Sequence, residues 1–180
     1  SYYFQIKCAR ELPNVKTVLE IGPGSKLVAR ELLSAGYEVT TCDFDASVEP
    51  DILSDVRTLP TDRMYDLIMA CQVLEHIPYE DFKKVLKSFS ERTSHYVIVS
   101  FPRRHTGFNF VIKFPFIQTL FQRNYFDFSL LFPVKFPGFK ESDQHYWEID
   151  GSTTKLRDVR GAIEKHFKIL KSFSPPLNKY

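Results

Sequence analysis

The chain has 180 residues and a formal net charge of +2, with 24 Lys and Arg against 22 Asp and Glu. This length predicts one domain with a sizeable core, and the near-neutral charge gives no sign of nucleic-acid binding. No apolar run approaches the ~18–20 residues that a membrane span requires. The three cysteines show neither metal-ligand nor disulfide spacing, and no signal peptide is visible. We therefore expect a cytoplasmic protein.

Apolar runs and helical periodicities alternate along the chain, in an order typical of a parallel sheet covered on both faces. The predicted helices lie at about 2–12, at 25–35, from 79 onward, and near the end from a cap at Ser152 or Thr153 to about residue 167. The predicted strands are short apolar runs at 18–19, 37–42, 52–53, 67–70, 97–99 and 167–173. Helix 25–35 is expected to turn Val28, Leu32 and Leu33 toward the sheet.

The segment 17–43, TVLEIGPGSKLVARELLSAGYEVTTCD, predicts a strand, a tight glycine turn, a helix and a second strand that ends in Asp43. An acid at that sheet edge commonly holds a ribose hydroxyl pair. A dinucleotide fingerprint would need a third glycine where Leu27 stands, and a P-loop would need a different order around Lys26. Glu20, two residues before the first glycine, suits a cofactor that carries positive charge. S-adenosylmethionine (SAM) meets that requirement.

Five ordered segments resemble class I SAM-dependent methyltransferases. They are VLEIGPG (18–24), TTCDFD (40–45), SDVRTLP (54–60), YDLIMACQVLEHIP (65–78) and HYVIVSFP (95–102), and weaker similarity resumes at HYWEIDG (145–151). The resemblance implies a Rossmann-like, doubly wound, mostly parallel seven-stranded sheet with helices on both faces. The chain supplies one strand of the family's final antiparallel hairpin, so we expect the polypeptide to continue beyond Tyr180. Lys26 stands where many relatives have a third glycine.

The resemblance also implies cofactor contacts at the sheet edge. Glu20 would lie near the methionine ammonium, and Gly22 and Gly24 would let the backbone approach the cofactor. Asp43 would accept hydrogen bonds from both ribose hydroxyls. Phe44 would either stack on adenine or belong to the core.

Four further residues complete the predicted cofactor site. Asp55 resembles the residue that accepts from the adenine amino group, and Val56 would offer its backbone amide to the ring. Cys71 and Gln72 follow the fourth strand, where the family's backbone meets the methionine end.

The sequence does not predict a site for a divalent metal. Some relatives carry Glu-x-x-Glu-His after the fourth strand and hold a cation there, but in this chain Gln72 replaces the first glutamate. A neutral amide is a weaker ligand for a hard cation than a carboxylate. We therefore expect Leu74, Glu75 and His76 to open the next helix and shape the pocket floor.

The resemblance implies that residues 103–148 are the substrate-recognition insert of the family; they hold ten of the seventeen phenylalanines. The prolines of the insert predict a short helix at about 116–126 with flanking loops. Three interpretations remain open: a lid over an apolar substrate pocket, an oligomer or membrane-surface patch, or extra core over a sheet edge. The second would place basic residues at its rim, namely Lys113, Arg123, Lys135 and Lys140.

Methyl transfer mainly requires positioning and exclusion of water. A hydroxyl acceptor also benefits from a base, and His145 is the first candidate and His105 the second. Each is also explained as a solvated or structural histidine. We expect methylation of a small, partly apolar metabolite at oxygen. The alternatives are RNA methylation, which Arg103 and Arg104 permit, and a non-catalytic SAM-binding module whose insert docks a partner.

Overall fold

The computed structural model describes residues 2–60, 63–103, 106–112, 126–132, 144–150 and 154–174. Its main sheet has five parallel strands in the order β3-β2-β1-β4-β5. These strands are β1 Thr17–Ile21, β2 Glu38–Asp43, β3 Ile52–Leu53, β4 Tyr65–Cys71 and β5 Thr93–Ser100. The α-helices in the described residues are α1 Tyr2–Arg10, α2 Leu27–Ser34, α3 Tyr79–Arg92 and α4 Leu156–Glu164. The predicted α/β sheet with helices on both faces is confirmed.

Successive residues of a strand point to opposite faces of the sheet, and each face has its own core. On one face Val18, Leu67 and Met69 pack against α1 and α2, with Val28 and Leu32 contributed by α2. On the other face the strands pack against α3 and α4. That core contains Leu19, Ile21, Ile68, Ala70, Phe82, Val85, Leu86, Phe89, Val159 and Ala162.

The strand order reverses between β1 and β4, because the chain moves outward through β2 and β3 on one side and through β5 on the other. In open α/β sheets, ligands bind in the crevice outside the carboxyl ends of the strands at such a switch point. The carboxyl ends of β1 and β4 therefore define where a site is expected.

Three local predictions differ from the structure. Leu33 is 52% exposed, because the buried face of α2 consists of Val28, Ala29 and Leu32. Residues 167–173 form no strand; Phe167 packs against the core on the α3 and α4 side of the sheet, and the ring of Phe173 lies 5.8 Å from that of Phe4 in α1. Residue 155, rather than Ser152 or Thr153, caps α4, and Asp158 accepts a hydrogen bond from its backbone amide at 3.2 Å. Residues 151–153 lie outside the described part.

The insert contains an antiparallel strand pair that the sequence analysis missed. β6 Thr106–Ile112 pairs with β7 Phe126–Phe132 in a separate two-stranded sheet. The prediction of a loop before residue 116 is wrong, because residues 106–112 form a strand. Residue 126, predicted to end a helix, instead begins a strand. Residues 113–125 lie outside the described part. Alternating aromatic residues favour a strand, and this period-two pattern was the available signal.

No helix in the described part of the chain is both long enough and apolar enough to cross a membrane.

Candidate functional site

A cavity of about 440 Å³ opens at the carboxyl ends of β1 and β4. Its lining residues come from β1, the glycine turn, β4 and α1, and they are Tyr2, Gln5, Glu20, Ile21, Gly22, Pro23, Gly24, Met69, Cys71 and Gln72. The structure thus brings together five of the predicted cofactor residues: Glu20, Gly22, Gly24, Cys71 and Gln72. The contribution of Tyr2 and Gln5 was missed, because helical periodicity in α1 does not say which of its polar positions faces a cavity.

Glu20 supplies a buried acid to this cavity. It is only 6% exposed, and its Oε2 has no hydrogen-bond partner among the described residues. Burial raises the pKa of Glu20 to about 7, and the backbone amide of Ala29 partly offsets that effect. A buried carboxyl with one oxygen left without a partner favours either its neutral form or a cation beside it. This observation fits a cofactor that carries an ammonium group.

The glycine turn brings the backbone close to the loop that follows β4. Gly22 has a φ of 68°, and a Cβ at this position would collide with the side chain of Val73. Gly24 has a φ of 51° with open space beside it. Lys26 also has a positive φ, 56°, in the region that glycine adopts without strain. At Gly22 and Gly24 the turn therefore presents backbone without a side chain, and Val73 packs closely against Gly22.

Asp43 ends β2 beside the glycine turn. The amide of Gly22 donates to the carbonyl of Cys42 at 2.9 Å, which fixes β2 against the turn. One carboxylate oxygen of Asp43 accepts from the amide of Asp45 at 3.0 Å. The side chain of Phe44 is 78% exposed, so the interpretation of Phe44 as core is wrong.

Asp55 lies at the start of the short helical turn Val56–Thr58. It accepts from the amide of Arg57 at 2.8 Å and forms an ion pair with the Arg57 guanidinium at 2.6 Å. These hydrogen bonds hold the pKa of Asp55 below its usual range. Val56 has a buried side chain. The adenine contacts of Asp55 and Val56 stay predictions, and Arg57 competes for the same carboxylate.

The end of β4 is tied to the end of β5. Gln72 has a φ of 59°, its amide donates to the carbonyl of Ser100 at 3.0 Å, and its side chain reaches the Ser100 hydroxyl at 3.3 Å. Burial raises the pKa of the Cys71 thiol to about 12, which keeps it neutral. Cys71 therefore lines the cavity as a small apolar residue and not as a nucleophile.

A second group of polar side chains lies immediately beyond Gln72. Leu74–His76 forms a 3-10 turn of its own and α3 begins only at Tyr79, so the prediction that this segment opens the helix is wrong. Glu75 is fully buried, and burial raises its pKa to about 7. Side-chain ligand atoms of Glu75, His76 and His145 lie within 4.8 Å of one another.

His145 reaches this group because the segment 144–150 is docked on the turn. Nδ1 of His76 donates to the carbonyl of Gln144 at 2.9 Å, and the amide of Tyr146 donates to the carbonyl of Glu75 at 2.9 Å. The buried indole of Trp147 donates to the carbonyl of Ile77 at 3.0 Å. His105, the second predicted base, lies outside the described residues.

Comparisons with known proteins agree with this fold. The sequence matches the methyltransferase-domain family over residues 5–153, so the chain belongs to that family. No curated protein matches the sequence at a significant level. Together the family and the fold define a class I SAM-dependent methyltransferase domain, whose cofactor is SAM.

Solved structures of low sequence identity share the fold. One is a SAM-dependent methyltransferase from Clostridium acetobutylicum, with 13% identity and a TM-score of 0.52, over 91% of this chain and 76% of that one. Another is the glycopeptide N-methyltransferase MtfA in complex with SAM, with 13% identity and a TM-score of 0.51, over 73% of this chain. The matched region spans 65% of the MtfA chain. At these identities the likeness concerns the fold alone.

Proposed function

We propose that this methyltransferase domain transfers the methyl group of SAM to a hydroxyl oxygen of a small, partly apolar molecule. The observation that carries the proposal is the cavity at the switch point, where Glu20 lies beside the glycine turn with its Oε2 lacking a hydrogen-bond partner among the described residues. A cationic cofactor fits this cavity, because Glu20 then gains the partner that the described protein does not provide.

The chain's own residues divide the work of holding the cofactor. Glu20 would pair with the ammonium group, and Asp43 would accept from the ribose hydroxyls at the end of β2. The turn at Gly22 and Gly24 would let backbone approach the ligand. Cys71 and Gln72 would close the methionine end, and Phe44 is exposed at the edge where an adenine ring would stack.

When bound, SAM supplies an electrophilic methyl group on a sulfonium, which leaves as the neutral thioether of S-adenosylhomocysteine. The acceptor loses its proton as the new carbon–oxygen bond forms. Nδ1 of His145 lies 2.8 Å from Oε1 of Glu148, a contact that orients the ring and leaves its other nitrogen for the acceptor. The base role of His145 stays a prediction.

The partly apolar acceptor is proposed from the exposed rings of the insert, because the aromatic cluster around Trp147 is buried core that anchors the segment carrying His145. The ring of Trp147 lies 5.3 Å from that of Phe101, 5.1 Å from that of Phe82 and 5.3 Å from that of Tyr79. Side chains of β6 and β7 add exposed apolar surface, since Phe110 and Phe128 oppose each other across the pair and are 48% and 58% exposed. We propose that the insert lies over the acceptor.

The same exposed surface favours one alternative, a SAM-binding module whose insert docks a partner. The RNA alternative loses one of its supports, because Arg103 forms an ion pair with Asp150 at 2.7 Å.

Transfer of a labelled methyl group from SAM tests the proposal. We would supply small aromatic acceptors in matched pairs, each pair a hydroxyl and the corresponding amine, together with total RNA. The proposal predicts label in hydroxyl compounds and its loss in Glu20→Gln. Label in amines alone would contradict the oxygen acceptor, and label in RNA alone would favour the RNA alternative. SAM binding without transfer to any acceptor would favour the docking module.

A further inference from the structure

We propose that Glu75, His76 and His145 form a binding site for a divalent transition-metal cation. The sequence argument against a metal considered only residues 72–76, where Gln72 replaces a glutamate. In the structure, His145 supplies the ligand that is missing at position 72, because the docked segment 144–150 brings it beside Glu75 and His76.

Glu75 is the first support for the site. It is fully buried, and neither of its carboxylate oxygens has a hydrogen-bond partner among the described residues. A buried ionised carboxylate is stable only when it is paired or coordinates a metal. Both oxygens of Glu75 are therefore free to coordinate a cation.

The hydrogen bonds of the two imidazoles are the second support. Nδ1 of His76 contacts a backbone carbonyl, which can only accept, so this nitrogen must carry the hydrogen. Nδ1 of His145 lies 2.8 Å from the carboxylate of Glu148. In both neutral rings the lone pair is then left on Nε2. Metal-ligating histidines almost always donate their other ring N–H to a carboxylate or a carbonyl in this way.

The spacing and the donor types agree with a transition metal. Donor atoms around a cation with bonds of about 2.1 Å lie roughly 3.4 Å apart, so atoms within 4.8 Å need only a small side-chain adjustment. Two imidazoles and one carboxylate suit Zn²⁺ or Fe²⁺, whereas Mg²⁺ and Ca²⁺ prefer sites made of oxygen.

A cation here would favour the deprotonated form of an acceptor hydroxyl placed beside it. His145 would then serve as a ligand through Nε2, and the base role predicted from sequence would not be available to it. The binding of the cation itself does not depend on methyl transfer.

The test is a calorimetric titration of the chelator-stripped chain, carrying no histidine tag, with Zn²⁺, alongside a visible absorption titration with Co²⁺. We expect one equivalent to bind. His145→Ala should weaken the affinity at least ~10-fold, and Glu148→Leu about 10- to 100-fold, because leucine cannot accept the hydrogen bond that orients the His145 ring. His95→Ala is the matched control, because His95 lies near the amino end of β5 beside Ser94 and Asp66 and should leave the affinity unchanged.

Three outcomes separate the possibilities. Absence of a one-equivalent Zn²⁺ or Co²⁺ signal in the intact chain would overturn the proposal, as would equal affinities of wild type and His145→Ala. If Glu75 is instead a neutral buried acid, Glu75→Gln will retain all of the metal affinity. SAM titrations of the same samples distinguish this failure from a failure of the proposed function, because metal binding and SAM binding are measured separately.

Discussion

Glu20 combines deep burial with an unpartnered oxygen at the base of the cavity. Such a group costs the folded chain free energy when it is ionised, and a ligand cation relieves that cost. A neutral side chain at this position would avoid that cost. The buried acid therefore connects the chemistry of one residue with the binding of a cationic cofactor.

Glu20→Gln should weaken SAM binding and stabilise the unliganded chain at alkaline pH. The folded-state pKa is raised from 4.5 to about 7, so the stability contributed by the protonated acid is complete below pH 4.5 and is lost as pH rises through 7. Glutamine stays neutral. At pH 8 the variant should gain up to about 3 kcal/mol in free energy of unfolding, and the gain should vanish near pH 4.5.

Urea unfolding at the two pH values and calorimetry with SAM measure both effects. The affinity of the wild type for SAM should rise as pH increases through 7, because Glu20 ionises there. The affinity of Glu20→Gln for SAM should not change in this range. Glu31→Gln, on the exposed face of α2, is the control. An unchanged SAM affinity in Glu20→Gln would remove Glu20 from the site.

At the scale of elements, the short turn after β4 and the segment 144–150 form one unit. Trp147 is its anchor, since the indole is 4% exposed and donates to the carbonyl of Ile77. The neighbouring ring of Tyr146 is 67% exposed. The two adjacent aromatic residues therefore provide a matched pair for testing how this unit is held.

Trp147→Phe should lower the free energy of unfolding by about 1–3 kcal/mol, because it leaves the Ile77 carbonyl buried without its donor. Tyr146→Phe should change it by less than about 0.5 kcal/mol, as is usual for a surface position. Denaturant unfolding measures both values, and hydrogen exchange at residues 144–150 should accelerate in Trp147→Phe alone. Equal stability of the two variants would mean that the indole does not hold the segment.

The elements that the sequence predicts well are those with local signals. The spacing of Phe82, Val85, Leu86 and Phe89 sets the buried face of α3, and all four are buried. The apolar run at 167–173 failed as a strand because a strand also requires a partner, which local sequence does not reveal. The pair β6–β7 was missed because proline content outweighed a period-two pattern of aromatic residues.

At the scale of the whole molecule, the order of the strands explains which parts of the site could be predicted. The predicted cofactor residues from Glu20 to Gln72 follow successive strands in chain order. Parallel strands place their carboxyl ends at one edge of the sheet, so local motifs are sufficient to predict the cofactor part of the site. The group formed by Glu75, His76 and His145 depends on a contact across about 70 residues of sequence, and no motif encodes it. Tyr2 and Gln5 were missed because the helical periodicity of α1 does not say which of its positions face the cavity.

The central claim is that the carboxyl edge of β1, β2 and β4 binds SAM, and calorimetric titration with SAM and S-adenosylhomocysteine tests it most directly. We would compare wild type with Asp43→Ala, and use Asp45→Ala as the control. Asp45 is exposed, lies two residues away and caps the turn Ala46–Val48 by accepting from the amide of Ser47 at 2.8 Å.

The account predicts that wild type and Asp45→Ala bind both ligands with similar affinity. Asp43→Ala should bind at least ~10-fold more weakly, since hydrogen bonds to a charged acceptor contribute about 1.5–3 kcal/mol each. An intact chain that binds neither ligand, or an Asp43→Ala variant that binds as tightly as wild type, would contradict the assignment of this edge as the cofactor site.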